Sequence, residues 1–262
     1  MARRVALLAL ATLAVACATS PLGRRQLLLF PDSEMSSMGA AAFDKMKTEM
    51  PRSDDAGKYR TVRCIADAIT AEIQGPQASM RWEVTVFEEP TPNAFALPGG
   101  KIGVHTGLFQ VARNQHQLAT VIGHEVAHVL AQHGNERVST AFAAQTSLDL
   151  VAALSGSASP TQKQLLGLLG VGAQVGVLLP YSRKQESEAD AMGLDLMARA
   201  GFDPNESVLL WRNMGAAGGA QPPEFLSTHP SHGTRIADLE RRMPGAILSR
   251  QGAQRAGKRP AC

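Results

Sequence analysis

The sequence predicts an α+β fold that is mainly helical, with one small β-sheet. Helical periodicity covers residues 34–50 and 56–74 and most of the chain after residue 114. Apolar and polar residues alternate over residues 82–86, which predicts a strand with one buried face, and a Pro-Gly-Gly turn at residues 98–100 separates two short extended segments. We find no internal repeat and no interdomain linker, so we expect one domain.

Composition excludes several classes of protein. The chain has 262 residues, of which 44% are hydrophobic and 19% are charged, with 24 Gly, 15 Pro and 3 Cys. These proportions exclude a disordered, a collagen-like or a disulfide-dense scaffold. The formal net charge is +3 and falls to +1 without Arg3 and Arg4, which lie in a segment that we expect to be removed. Such a chain has no basic surface for nucleic acid, so we predict no nucleic-acid partner.

The N-terminus has the layout of a secretory signal. Two arginines precede an apolar run that is too short to span a bilayer, and small residues lead to Cys17. These residues resemble a bacterial lipobox, although Ala14 stands where the pattern prefers Leu. We therefore predict a signal peptide at residues 1–16, a lipid on Cys17 and a tether at residues 17–32. Because Ala18 is not Asp, we expect anchoring at the outer membrane; the alternative is cleavage after Ala16 and an unlipidated periplasmic protein.

An exported chain lies where disulfides persist. With Cys17 acylated, Cys64 and Cys262 remain as an even pair. A bridge between them would tie the C-terminus, predicted as a basic tail at residues 250–262, to the N-terminal part of a domain at residues 33–249. The alternative is two unrelated thiols.

Residues 165–180 form the most apolar stretch outside the signal segment. They fall short of the ~18 consecutive apolar residues expected of a membrane span, and Gly and Gln interrupt them. We interpret them as a buried or cleft-covering helix; the alternative is a segment lying against the bilayer.

The residues with the clearest chemical meaning are His124 and His128 in the sequence His-Glu-Val-Ala-His. Positions i and i+4 of a helix differ by about 40° of rotation, so both imidazoles face one point, where neutral imidazole is a good zinc ligand. Glu125 is rotated away from this pair and can reach a water molecule instead. Asn114 and Gly134 are the predicted ends of the helix. The motif alone is not decisive, because it arises by chance in about one chain per hundred. The alternative interpretation is a polar helix face that happens to carry two histidines.

A second helix offers the missing ligand. Ser182 and Gln185 form a predicted capping box, and Gly201 marks the helix end. Glu186 and Asp190 are again i and i+4, so one carboxylate can bind metal while the other accepts a hydrogen bond from a ligating histidine. The alternative is an acidic first turn that is favoured by the helix dipole alone.

Three segments in this order resemble one known family: GHEVAHVLAQHGNER, SRKQESEADAMG and FLSTHPSHGTRI. They are similar to the zinc metallopeptidase family that includes HtpX and the CAAX prenyl proteases, and more closely to its soluble, exported lipoprotein branch. The resemblance covers about residues 26–243. It implies a zincin-like (gluzincin) domain whose small sheet has an edge strand beside the active-site cleft.

The resemblance also assigns roles to individual residues. It implies one zinc ion held by His124, His128 and Glu186, with Glu125 as general base and Asp190 as the partner of a ligating histidine. His229 would assist the oxyanion or cap the metal; the alternative for His229 is a loop histidine. Further assignments are Asn93 and Ala94 at the start of the substrate-binding edge strand and Arg235 as an anchor for the acidic helix. His133 and His232 are expected to be surface residues or residues that contact a ligand from behind, and His105 and His116 receive no role.

The function that follows is a zinc endopeptidase of the bacterial envelope that cleaves unfolded or misassembled proteins. Substrate would bind as an added β-strand, which predicts weak sequence preference. The alternative is a chaperone-like client-binding lipoprotein whose proteolysis is silenced by His229, and another zinc hydrolase is a third reading.

Overall fold

The structure is a computed structural model that describes residues 17–154, 181–217, 224–229 and 233–262. The predicted signal peptide, the apolar stretch at residues 165–180 and His232 lie outside the described residues. Within them the chain is mainly helical, as predicted, and has two small sheets where the sequence predicts one.

The first part of the chain contains all five described strands and two helices. In chain order the elements are β1 (Cys17–Thr19), β2 (Arg25–Leu27), α1 (Asp32–Glu49), α2 (Ala56–Thr70), a 3-10 helix (Gly75–Ser79), β3 (Glu83–Phe87), β4 (Ala94–Leu97) and β5 (Lys101–His105).

The remaining described elements are helices. They are α3 (Leu108–Val111), α4 (Gln115–Leu130), α5 (His133–Leu154), α6 (Arg183–Arg199), α7 (Asn205–Ala217), α8 (Glu224–Thr228) and α9 (Arg235–Arg255). No helix in the parts of the chain that the structure describes combines the length and the apolar character needed to cross a membrane.

The central sheet has the order β3-β5-β4, with β3 parallel and β4 antiparallel to β5. Among the described strands β4 therefore forms an edge, as predicted. The prediction of one buried face from the alternation at residues 82–86 is wrong, because the sheet is covered on both faces. Val84 packs in the main core with Ile65 of α2, whereas Phe87 packs edge-on against Phe43 of α1.

The N-terminal segment is folded where the sequence predicts a tether. β1 and β2 pair antiparallel over residues 17–27, and Ser20 and Gln26 are buried. Arg24 donates to Glu136 of α5 at 2.7 Å and to Glu188 of α6 at 3.0 Å. This N-terminal hairpin is thereby attached to α5, which follows the helix of His124 and His128, and to α6, which carries Glu186 and Asp190.

The caps of α4 and α6 follow the sequence except at one end. The Asn114 side chain accepts from the backbone of His116 and Gln117, and Ser182 with Gln185 forms the predicted capping box. Gly201, at φ 95°, ends α6 as predicted. The prediction that Gly134 ends α4 is wrong: the helix stops at Leu130, Gln132 adopts φ 55°, and Gly134 lies within α5.

The C-terminus is fixed to the body of the protein. Cys64 and Cys262 form a disulfide across 198 residues of sequence, as the pairing argument predicts. Thr61 donates to the carbonyl of Cys262 at 3.0 Å, and α9 continues to Arg255. The predicted tail is thus partly helical and docked.

Candidate metal centre

Two buried helices bring the predicted ligands together. α4 carries His124, Glu125 and His128, and every residue from 117 to 130 of this helix is buried. α6 carries Glu186 and Asp190, both buried although charged. Buried charges in a protein are paired or coordinate metals, so each of these groups needs a partner.

Four side chains converge on one point: His124, His128, Glu186 and His229 offer ligand atoms that all lie within 4.8 Å of one another. The Nε2 atoms of His124 and His128 are 3.0 Å apart. The Glu186 carboxylate approaches Nε2 of His124 at 3.5 Å and Nε2 of His128 at 3.3 Å. The three ligands predicted from two separate helices therefore share one site, and His229, which the family resemblance places near the metal, lies in the same group.

His229 lies at the end of α8, and its ring stacks on Phe225 with centroids 4.4 Å apart. Its Nδ1 lies 3.0 Å from Glu186 Oε1 and 3.2 Å from His124 Nε2, and its Nε2 lies 3.4 Å from Glu125 Oε1. The imidazole therefore stands between the ligand group and the predicted base.

The electrostatics of the group fit a bound cation. Burial alone would lower the pKa of His124, but Glu186 and Asp190 outweigh it and raise that pKa to about 9. Burial opposes the ionised form of Glu186, yet the neighbouring histidines hold its pKa far below the usual range. Glu186 Oε2 is also buried without a hydrogen-bond partner. A set of imidazoles and one carboxylate is a ligand set that zinc prefers, so the group fits one zinc ion.

Asp190 and Arg235 support the ligands from behind. His124 Nδ1 lies 2.9 Å from Asp190 Oδ1, and Arg235 Nη2 donates to the same oxygen at 2.7 Å. Arg235 Nη1 is 3.1 Å from Glu186 Oε2, and its guanidinium stacks 3.4 Å above Trp211. Burial would raise the pKa of Asp190, but Arg235 and His124 bring it below its usual value. The structure places both residues where the sequence predicts them.

Glu125 lies beside the ligand group but not in it. Its Oε2 accepts a hydrogen bond from the backbone N–H of Ala96 in β4 at 3.1 Å, and its buried Oε1 has no hydrogen-bond partner. Burial raises the pKa of Glu125. The geometry thus leaves one carboxylate oxygen available to a group that enters the site.

A cleft leads to the site along β4, and Asn93 and Ala94, the residues predicted to begin the substrate-binding strand, line it. Asn93 Oδ1 accepts from the N–H of Ala94 at 2.9 Å. Methionine side chains contribute much of the apolar wall: Met35, Met46, Met50 and Met80.

Sequence reasoning missed Tyr181, which also lines the cleft. Its ring centroid lies 3.9 Å from that of His128 and 5.0 Å from that of His229. The sequence offers one indication of this position: Tyr181 directly precedes Ser182, the residue that caps the start of α6.

A helix that presents His124, Glu125 and His128 to a carboxylate of a second helix, beside the edge strand of a small sheet, defines a zincin-like metallopeptidase domain. The family model described as Peptidase family M48 matches residues 57–243, more than half of the chain. The chain belongs to this family, which confirms the metallopeptidase family predicted from the three motifs.

The relatives include enzymes of two names. Mitochondrial metalloendopeptidase OMA1 of Schizosaccharomyces pombe is 40% identical over 176 residues, which cover 66% of this chain and 50% of the relative. The OMA1 metalloendopeptidase of Bos taurus is 33% identical over 247 residues, 87% of this chain and 46% of the relative. The β-barrel assembly-enhancing protease of Yersinia pestis is 31% identical over 217 residues, 80% of this chain and 44% of the relative. The chain thus spans about half the length of these relatives.

Proposed function

We propose that the chain is a zinc-dependent endopeptidase that cleaves unfolded or misassembled proteins of the bacterial cell envelope. The observation that carries this proposal is the convergence of four buried ligand atoms within 4.8 Å, next to a glutamate, Glu125, whose buried Oε1 makes no hydrogen bond. Membership of Peptidase family M48 supports the reaction class.

His124, His128 and Glu186 would hold the ion. Zinc bound by them would polarise a substrate carbonyl and lower the pKa of a water molecule toward ~7. Glu125 Oε1 is free to take a proton from that water and to pass it to the leaving amine, while the Ala96 N–H holds Oε2 in place. Asp190 would keep His124 in the orientation that presents Nε2 to the ion.

The substrate strand would bind along β4. This edge lies beside Glu125, and an extended peptide can add to it through main-chain hydrogen bonds. The backbone N–H of Ala94 donates a hydrogen bond to the side-chain oxygen of Asn93. A carbonyl oxygen of the substrate strand would take the place of the Asn93 oxygen as acceptor. Only segments that are not already paired in a sheet can bind in this way, which favours unfolded clients.

The methionines of the cleft suggest which side chains would fit. Met is unbranched and polarizable, so a Met-lined wall can adapt to apolar side chains of different shapes. The four Met side chains along the cleft therefore favour exposed apolar segments, which misassembled proteins present and folded proteins bury.

The envelope location is supported by the N-terminal residues and by one relative. The signal-like segment before Cys17 would direct export and lipidation at the outer membrane, and the bacterial relative is named a β-barrel assembly-enhancing protease. The OMA1 relatives are named mitochondrial. Labelling cells with a palmitate analogue tests the anchor: label that is present on the wild type and absent from Cys17→Ala supports it, and an unlabelled wild type contradicts it.

A second candidate is a client-binding protein with latent proteolysis. The position of His229 favours it, because an imidazole within the ligand group would fill the place that a substrate or water needs. Under this reading His229→Ala increases cleavage. If His229 instead assists the oxyanion, the same variant decreases cleavage while zinc content is unchanged.

Casein digestion by purified full-length protein tests the main proposal. We expect cleavage that requires one equivalent of zinc and stops with a chelator. Protein that binds zinc but cleaves neither casein nor a trapped envelope client, both as wild type and as His229→Ala, would contradict an endopeptidase. Rescue of an envelope-stress phenotype by Glu125→Gln would favour the client-binding alternative.

A further inference from the structure

A second cluster of buried polar side chains lies next to the metal centre and contacts His128. It consists of His133, at the start of α5, and Glu188 in α6; His133 is fully buried and Glu188 nearly so. His133 Nδ1 lies 2.9 Å from Nδ1 of His128, and His133 Nε2 lies 3.2 Å from Glu188 Oε2. Neither residue belongs to the four-residue ligand group.

The break after α4 creates this contact. On one continuous helix, residues five apart are rotated by about 140° and face different directions. Gln132 adopts a left-handed conformation at φ 55°, so the chain turns before α5 begins and His133 returns toward His128. A residue other than Gly in this conformation is uncommon, which makes the turn a specific feature of the chain.

We propose that His133 and Glu188 are positioning residues for His128: Glu188, held by the N-terminal hairpin, orients the His133 ring, and that ring holds the Nδ1–H of His128 so that Nε2 faces the metal. This inference rests on the proposed zinc site.

The hydrogen-bond inventory fixes the direction of each bond. Glu188 receives hydrogen bonds from several donors, so its ionised carboxylate only accepts, and His133 Nε2 must carry a proton. His128 faces the ligand group with Nε2, so its Nδ1 carries the proton there. His133 Nδ1 is then the acceptor, and one neutral tautomer of each ring satisfies every contact.

The N-terminal hairpin supplies the donors that hold Glu188. The hydroxyl of Ser20 and the backbone N–H of Leu22 donate to Oε1, and Arg24 Nε donates to Oε2 at 3.0 Å. Arg24 is itself clamped by Glu136 of α5. The hairpin thereby reaches the metal ligand through Glu188 and His133, a path that starts three residues from Cys17.

The two ligating histidines are therefore supported differently. His124 donates to a carboxylate, Asp190, that is fixed by Arg235 inside the core. His128 donates to a neutral imidazole whose own support comes from a segment at the N-terminus. A histidine that served only packing would direct its second ring nitrogen to a backbone carbonyl or to solvent. The second ring nitrogen of His133, Nδ1, instead contacts His128, a predicted metal ligand.

Chelator competition with Zn²⁺ on the full chain tests this inference. His133→Leu removes the acceptor, and we expect zinc affinity to fall about 10- to 100-fold. His133→Asn offers an amide oxygen and should recover part of the loss, and Arg24→Gln, which changes a partly exposed side chain further from the site, should give a smaller loss. The matched control is His116→Leu, which also removes an imidazole ring and one hydrogen bond but is only partly buried and does not line the cleft; its zinc affinity should equal that of the wild type.

Proton–nitrogen NMR spectra of the histidines in the wild type give a readout that needs no variant. We expect His133 as the Nε2–H tautomer and His128 as the Nδ1–H tautomer. Wild-type zinc affinity in folded His133→Leu, or a proton on Nδ1 of His133, would overturn the inference. If His133→Leu fails to fold, the histidine tautomers in the wild-type spectra and the zinc affinity of Arg24→Gln test the positioning role. Failure of the wild type to bind zinc would refute the proposed function instead, and the tautomers would still decide the positioning role.

Discussion

Gly123 of α4 and Gly193 of α6 face each other where the two helices cross. A Cβ atom added to Gly123 would lie 2.9 Å from the carbonyl oxygen of Gly193, and one added to Gly193 would lie 2.8 Å from the backbone nitrogen of His124. Both distances are shorter than real Cβ contacts. The absence of two side chains therefore lets α6 approach α4 closely enough for Glu186 and Asp190 to reach His124.

Gly193→Ala should push the helices apart next to the metal ligands. Overpacking of this kind costs about 1–3 kcal/mol of unfolding free energy, and zinc affinity should fall as well because α6 carries Glu186. Denaturant unfolding and chelator competition measure the two effects. The control is Gly215→Ala in α7, where nothing lies within 4 Å of the added Cβ; it should keep full zinc affinity and gain up to ~1 kcal/mol. Equal behaviour of the two variants would show that the crossing does not need glycine.

The sequence predicts the ligands better than it predicts the contacts that align them. Helical spacing of i and i+4 is a local property, so His124 and His128, and separately Glu186 and Asp190, are visible as pairs. The close approach is expected at the small residues Thr120, Ala127 and Ala131, and Thr120 does contact Met197 of α6 at 3.5 Å. The tightest point is nevertheless Gly123 against Gly193, because it depends on the crossing of two helices that lie far apart in the chain.

The contacts of His133 and Tyr181 with His128 are likewise not predictable from the sequence. His133 lies in the first of the three family segments but has no assigned role there, and Tyr181 directly precedes the second segment. The contacts of both residues with His128 depend on where a helix stops or begins. His133 reaches His128 only because α4 ends at Leu130 and Gln132 reverses the chain, whereas the sequence predicts continuation to Gly134. Local composition does not reveal a left-handed residue that is not Gly, so this part of the site requires the structure.

Glu125→Gln should separate catalysis from metal binding. The amide keeps the size of the side chain and an oxygen for the Ala96 N–H but cannot take a proton, so we expect kcat to fall by ~10²–10⁴-fold with zinc content unchanged. Casein cleavage and metal analysis of the same preparation measure both. Glu83→Gln, which does not line the cleft, is the control and should cleave at the wild-type rate. Near-normal cleavage by Glu125→Gln would reject Glu125 as the base.

Arg235→Met should destabilise the protein more without zinc than with it. Removal of a buried guanidinium leaves Asp190 and Glu186 without their cation, which costs about 3–5 kcal/mol. A metal ion held by Glu186 would compensate part of that charge, so we expect a smaller loss of unfolding free energy in saturating Zn²⁺ than in a chelator. Arg212→Met breaks an exposed pair with Glu240 and should cost less than ~1 kcal/mol in both conditions. An equal loss of unfolding free energy for Arg235→Met in both conditions would show that Arg235 does not balance the charge of the metal site.

Reduction of the Cys64–Cys262 bridge should lower stability without affecting the metal centre. The bridge closes a loop of 198 residues, and removal of a native disulfide typically costs about 2–5 kcal/mol. We expect the wild type to lose this amount in a reductant and to retain its zinc affinity, because neither cysteine lines the cleft. The double variant Cys64→Ser, Cys262→Ser is the control and should be equally stable with and without reductant. A loss of zinc affinity on reduction would contradict this separation.

The pair of lysines around Glu83 should make stability depend on pH in the acid range. Lys101 of β5 and Lys47 of α1 each contact the Glu83 carboxylate at 2.7 Å and lower its pKa, against a smaller opposing effect of burial. A lowered pKa in the folded state means that the stabilisation is complete above the unfolded value, near 4.5, and is lost as the pH falls through the folded value. Because the carboxylate is 40% exposed, solvent screening keeps the contribution below ~1 kcal/mol. Metal-free Glu83→Gln should therefore be less stable than the wild type at pH 7, and the difference should shrink as the pH falls below 4.5. A Glu83→Gln difference that persists undiminished at pH 3 would assign the effect to packing and not to charge.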